Sequence, residues 1–194
     1  MRTDIILSGV GGQGILSIAT IIGAAAIDEG LYIKQAEVHG MSQRGGDVQS
    51  NLRLSSTPIS SDLIPLGKAD LVISLEPMEA LRYLPYLSKE GWIITNTVPF
   101  VNIDNYPDEA KLREALAALP HVIALDVDAI AKSVASPRAS NIVLLGAAAP
   151  FLGIEPEKLE AGICSIFSRK GEQIVEMNIA AFRAGLDFAQ KNIG

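Results

Sequence analysis

One cysteine, Cys164, and two histidines, His39 and His121, are all the thiol and imidazole chemistry in these 194 residues. A lone thiol excludes an intrachain disulfide, a Cys-x-x-Cys redox pair and an iron–sulfur cluster held by this chain alone. Two histidines do not make a zinc constellation. No apolar run reaches the roughly 18 to 20 uncharged residues that cross a bilayer. After Met1-Arg2-Thr3-Asp4 the sequence enters a strand pattern without signal-peptide features. The expectation is a soluble, cytoplasmic protein with no membrane partner. A basic stripe is also missing: the net charge is −6 and both signs are interspersed, which gives nucleic acid no electrostatic footprint.

What the chain does have is apolar surface. Hydrophobic residues make up 48% of it and the mean hydropathy is positive. The length fits one domain, residues 1–194, with a sizeable core. An excess of apolar residues also suits a surface covered by another subunit, or by a second copy when the chain is isolated. Cys164 lies among Leu159, Ile163, Ile166 and Phe167 and reads as a small buried hydrophobe.

Residues 4–8 read as a buried strand and 14–29 as a helix of small and apolar residues ended by Gly30. A second strand spans 31–37, and 38–46 has neither period and reads as a loop. Residues 47–54 alternate cleanly, as in a half-solvated strand that is an edge or an antiparallel addition. Short strands follow at 71–75, 92–96 and 122–125. Pro77 starts one helix, with Gly91 after it, and Pro107 starts another that runs to about 119. Beyond Asp126 only helices are expected, at 140–152, 157–167 and 172–190. This order implies an α/β, Rossmann-like doubly wound, mainly parallel sheet with a helical C-terminal segment.

The first motif is Gly9-Val-Gly11-Gly12-Gln13-Gly14, placed between strand and helix. Gly9 allows a tight turn, Gly11 a close backbone approach, and Gly14 close packing of helix on strand. A helix N-terminus at this point favours an anion. Glu37 stands roughly where a dinucleotide site needs an acid for the ribose. Gly12 and Gln13 depart from that fingerprint, since Gln13 sets an amide where a phosphate would approach. A dinucleotide site, another anion site and a structural loop at a subunit interface all remain open at this point.

The second motif is Glu37-Val-His39-Gly-Met-Ser42-Gln43-Arg44-Gly-Gly46. The pattern places it after the second strand, beside the mouth of the glycine loop, with both loops leaving neighbouring strands. Arg44 suits a carboxylate or phosphate, and His39 suits proton transfer. Elsewhere, Asn96 reads as a turn former at a strand end and His121 as an exposed strand-end residue. Trp92 reads as core. Ser140 or Asn141, next to Arg138, reads as a helix N-cap rather than a ligand contact.

Together the GVGGQG and EVHGMSQRGG stretches resemble the gamma domain of the pyruvate/ketoisovalerate (2-oxoacid):ferredoxin oxidoreductases. Within that family they resemble the small (beta) subunits of indolepyruvate:ferredoxin oxidoreductases. Pro137-Arg138-Ala139-Ser140-Asn141, the following Val143-Leu144-Leu145-Gly146-Ala147 and the helical C-terminus extend the resemblance over nearly the whole chain. It implies oxidative decarboxylation of an arylpyruvate with coenzyme A, giving the aryl-acetyl-CoA, carbon dioxide and reduced ferredoxin. It also implies a large alpha subunit that carries thiamine diphosphate and the iron–sulfur clusters, because this chain has neither a thiamine motif nor cluster cysteines. By that resemblance Gly9, Gly11, Gly12, Gln13 and Gly14 form an anion-compatible rim where coenzyme A meets the interface. His39, Ser42, Gln43 and Arg44 then face the thiamine subunit or the acyl acceptor, and no residue is assigned as catalytic. The alternative is a free-standing NAD(P)- or flavin-binding oxidoreductase. The glycine spacing and Glu37 favour it, whereas the HGMSQRGG loop and the lack of an acid–base set oppose it.

Overall fold

The computed structural model describes residues 1–39, 45–134 and 136–193. Its strands are β1 (Arg2–Val10), β2 (Tyr32–His39), β3 (Asp47–Ser55), β4 (Ala69–Ser74), β5 (Leu87–Asn96) and β6 (Val122–Leu125). The helices are α1 (Ile15–Asp28), α2 (Pro77–Arg82), α3 (Glu109–Ala117), α4 (Val127–Val134), α5 (Ser140–Ala148), α6 (Pro156–Phe167) and α7 (Glu172–Asn192). The strands form one sheet in the order β2-β3-β1-β4-β5-β6. Strands β1, β4, β5 and β6 are mutually parallel, and β3 runs antiparallel to both β1 and β2.

The antiparallel addition is therefore correct for β3, but its place is not an edge. It is wedged between β1 and β2, which are not neighbours as the sequence suggested. Nor is its polar face solvated. Asn51 and Arg53 are buried, because the segment after β3 folds back over them. Arg53 pairs with buried Asp4 (Nε to Oδ1, 2.7 Å) and donates to the carbonyls of Ser61 and Leu63 at 3.0 Å. Asn51 accepts from the Ile64 amide at 3.1 Å. These charged and polar groups are tolerated inside because each finds a partner.

Core residues lie on both faces of the sheet. Ile5 and Leu7 of β1 point to the face packed by α1 and α5, which α6 and α7 cover in turn. Ile6 points to the other face, under α2. Helix α5 is buried from Ile142 to Ala148, as expected of a helix that is apolar all round. It meets α7 at glycine contacts. A Cβ on Gly146 would lie 1.9 Å from the Phe182 carbonyl oxygen, and one on Gly185 1.9 Å from the Val143 oxygen.

Three local expectations change. Helix α2 stops at Arg82, and Gly91 lies inside β5, where a Cβ would come 2.9 Å from the Ala69 carbonyl oxygen. Cys164 is exposed, because the buried stripe of α6 is Leu159, Gly162 and Ile163 and the next residue turns away from it. His121 is half-buried, stacked on Trp92 with ring centroids 5.1 Å apart, and Trp92 packs in turn on Phe151. No helix among the described residues is long and apolar enough to cross a membrane.

Candidate functional site

The glycine loop leaves the C-terminal end of β1, the edge of a parallel sheet where open α/β folds place ligands. Gly12 and Gly14 have φ of 103° and 85°, which only glycine adopts readily, and Gly14 is the N-cap of α1. Gly9 still belongs to β1 and pairs with Val48. The Gln13 side chain turns inward: its Oε1 accepts from the Val10 amide at 2.8 Å and its Nε2 donates to the Leu75 carbonyl at 3.3 Å. Gln13 thus clamps the loop between β1 and the end of β4. Among the described residues no side chain caps the first turn of α1, and that turn contains no acidic residue, so its positive end favours an anion.

The loop is laced to the end of the second motif. The Gly11 amide donates to the Gly46 carbonyl at 2.9 Å, and the Gly45 amide to the Gly11 carbonyl at 3.4 Å. The two motifs therefore meet through the start of β3 rather than across adjacent strands. His39 ends β2, with its backbone paired to Val48. Ser42, Gln43 and Arg44 lie outside the described residues.

Two residues read as helix caps belong to the site instead. Asn141 of α5 donates from Nδ2 to the Gly14 carbonyl at 3.2 Å, while α5 itself has no side-chain cap. Ser140 donates to the Pro137 carbonyl at 2.7 Å. Gly12, Gln13, Asn96, Phe100, Arg138 and Asn141 line a cleft of about 440 Å³, with Leu75, Val127, Asp128, Pro137 and Ser140 completing it. Arg138 is exposed and makes no ion pair among the described residues. The cleft suits an anion held between Arg138 and the α1 N-terminus, with Asp128 on the same wall working against it. Asn96 is buried and plays the structural part read from the sequence: its Oδ1 accepts from the amides of Val98 and Val127, each at 3.3 Å.

No local pattern in the sequence marks the carboxylates beside this cleft. Glu76 is fully buried and caps α2 by accepting from the Glu79 amide at 2.9 Å. It also accepts from the Phe100 amide at 3.3 Å and from the Tyr106 hydroxyl. Burial first, and that bond to Glu76 second, push the Tyr106 phenol well above its ordinary value. Glu79 is buried beside Asp47, which accepts from the Tyr83 hydroxyl at 2.6 Å. Burial raises the Glu79 pKa, the Arg82 hydrogen bond partly offsets this, and the Asp47 charge adds to the rise.

The dinucleotide reading finds less support in this geometry. Glu37 is on β2, two strand spacings or about 10 Å from β1, and accepts from Gln35 Nε2 at 2.9 Å. The Gln13 amide is already committed. Among the described residues no three His, Cys, Asp or Glu side chains gather as metal ligands. A second cavity, of about 340 Å³, lies between α3, β6 and the end of α7. Leu112, Leu116, Ala124 and Phe188 give it a mainly apolar lining.

Comparison with known proteins agrees with this architecture. The family model for pyruvate ferredoxin/flavodoxin oxidoreductase matches residues 4–188. The indolepyruvate oxidoreductase subunit IorB of Methanothermobacter thermautotrophicus is 35% identical over 199 residues, covering 99% of this chain and 100% of that protein. The gamma subunit of a keto/oxoacid ferredoxin oxidoreductase from Geobacter sulfurreducens superposes with a TM-score of 0.70 at 26% identity, covering 97% of this chain and 99% of that one. A 2-oxoglutarate:ferredoxin oxidoreductase from Magnetococcus marinus, with 2-oxoglutarate, coenzyme A and succinyl-CoA bound, superposes at 0.76 with 23% identity. It covers 98% of this chain but only 31% of that longer one.

Proposed function

Because the chain belongs to the pyruvate ferredoxin/flavodoxin oxidoreductase family, we propose that it is the small, non-autonomous subunit of a thiamine diphosphate- and ferredoxin-dependent 2-oxoacid oxidoreductase. Its substrate is indolepyruvate or a related arylpyruvate, and it works in the cytoplasm beside a large subunit that carries thiamine diphosphate and the iron–sulfur clusters. The observation that carries this reading is 35% identity to an indolepyruvate oxidoreductase subunit over the full length of both chains. The whole chain acts as one gamma-type domain.

In the overall reaction the arylpyruvate loses its carboxylate as carbon dioxide. Its acyl carbon becomes bonded to the sulfur of coenzyme A as the thiol gives up its proton to solvent, and the electron pair left by the departing carboxylate passes to oxidised ferredoxin. When bound to the large subunit, thiamine diphosphate would supply the electron sink that decarboxylation needs. This chain's part is to bind and orient the acyl acceptor. The α1 N-terminus and Arg138 hold the diphosphate of coenzyme A. Gly12, without a side chain, admits the ligand to the backbone. Gln13 and Asn141 keep the loop in shape, and Phe100 gives the thioester arm an apolar wall. His39, Ser42, Gln43 and Arg44 face the large subunit or the acceptor itself.

The test is to tag the chain, purify it anaerobically from its own source and identify what accompanies it. A large brown partner that releases thiamine diphosphate on denaturation supports the reading. In the assembled enzyme, Arg138→Ala and Arg44→Ala are expected to raise KM for coenzyme A by about tenfold, the worth of one charge-assisted contact, with less effect on kcat. If both leave the coenzyme A dependence unchanged, the assigned roles are wrong. Recovery of the chain alone, binding NAD or flavin, would overturn the whole reading.

A further inference from the structure

The segment that follows β5, residues 97–106, is a strap across the sheet edge beside the cleft. It exposes four large apolar side chains within six residues: Val98, Phe100, Val101 and Ile103, at 39%, 45%, 65% and 42%. We propose that this patch is the seat of the large partner subunit. The inference rests on the subunit reading above and adds the face on which the two chains join.

A loop that merely connects two elements has no need to hold apolar groups in water, and this one is held at several points. The Phe100 amide and the Tyr106 hydroxyl both donate to Glu76, a carboxylate with no exposure. Asn102 Nδ2 donates to the Gly45 carbonyl, at the end of the second motif. None of the four side chains belongs to either core cluster. The strap thus presents a preformed apolar surface whose ordering cost is met within the chain, the condition under which a surface binds well. Its polar side chains, Asn102, Asp104 and Asn105, flank the aliphatic and aromatic groups, as at the rim of an interface.

The occupant follows from the rest of the molecule. The same fold occurs as about a third of a longer chain in the Magnetococcus enzyme, so it is compatible with permanent cover by a larger body. Phe100 is shared between the patch and the cleft wall, so whatever seats on the strap also closes the cleft. A large subunit placed there brings its own centre to the acyl acceptor. A second copy of this chain would instead set one cleft against another and leave no route between acceptor and substrate.

The test is co-expression with the large subunit, comparing the wild-type chain with a Val101→Asp, Ile103→Asp double variant by size exclusion and by titration of the separated subunits. The double variant is expected to keep the melting temperature of the isolated chain and to bind the large subunit at least tenfold more weakly. As a control, Leu63→Asp with Leu66→Asp places charges on exposed apolar residues of the segment that covers Asn51 and Arg53 of β3, and this variant is expected to assemble normally. Assembly of the strap variant with wild-type affinity would overturn the proposal. So would loss of assembly in the control variant alone. If the wild-type chain forms a homodimer that the strap variant abolishes while the complex persists, the patch serves self-association and the proposal falls. A wild-type chain that recovers no large partner strikes the subunit reading itself, which separates that failure from a failure of the strap.

Discussion

Asn141 Nδ2 donates to the Gly14 carbonyl oxygen at 3.2 Å, joining the start of α5 to the glycine loop across 127 residues of sequence. The approach is close on both sides. A Cβ on Gly14 would stand 2.9 Å from that same Nδ2, at a backbone φ of 85°. Gly14→Ala is expected to cost about 1–2 kcal/mol from the left-handed conformation alone, plus the displacement of Asn141. Asn141→Ala should cost about 1 kcal/mol for the lost bond. Combining them should cost less than the sum, since the second change removes the obstacle met by the first. Urea denaturation of the two single variants and the double variant measures this, and strict additivity would show that the residues are not coupled.

Gly146 and Gly185 bring α5 and α7 together backbone to backbone. An added methyl at either would meet a carbonyl oxygen at 1.9 Å, and no side-chain rotation can relieve a clash with backbone. Gly146→Ala and Gly185→Ala are expected to cost about 3 kcal/mol or more, at the upper end of overpacking penalties. Gly30→Ala, at φ 70° but in open space, should cost about 1 kcal/mol. Soluble yield and chemical denaturation report both, and a Gly185→Ala chain of wild-type stability would contradict the packing described.

Glu79 predicts a pH dependence of stability. Burial and the neighbouring Asp47 charge outweigh Arg82 and raise its pKa above the ordinary 4.5. The folded chain therefore holds this proton more tightly than the unfolded chain does. The stabilisation is complete below about pH 4.5 and is lost as pH rises through the folded value. Glu79→Gln should remove that loss, giving a flatter stability profile above pH 4.5. Parallel profiles for variant and wild type, from denaturation at a series of pH values, would sink the assignment.

Cys164 is exposed on α6. In the isolated chain, a thiol reagent is expected to modify one equivalent rapidly, with no change in the circular dichroism spectrum. Protection until denaturation would show that this face of α6 is covered, contrary to its placement here.

The β1–loop–α1 entrance, the parallel strands and the helical C-terminus were legible because they rest on local periodicity and on Gly9, Gly11 and Gly14. The two motifs were legible as well, and so was the family resemblance they carry. Strand β3 departs from its expected edge position for a physical reason. Alternation reports which side chains are polar, and cannot report that Arg53 will find Asp4 or that Asn51 will find the Ile64 amide. The position of Asn141 suits a helix cap, while its actual partner, Gly14, lies at the far end of the chain.

By itself the sequence determined the class of fold, the glycine loop and what this chain does not supply for itself: cluster cysteines and a thiamine motif. Those conclusions depend on composition and on spacings of a few residues. Only the tertiary structure decided that β3 separates β1 from Glu37, that Gln13 closes the loop from within, and that Glu76 holds the strap beside the cleft. Each of these depends on contacts between residues that chain topology brings together, and no local pattern carries that information.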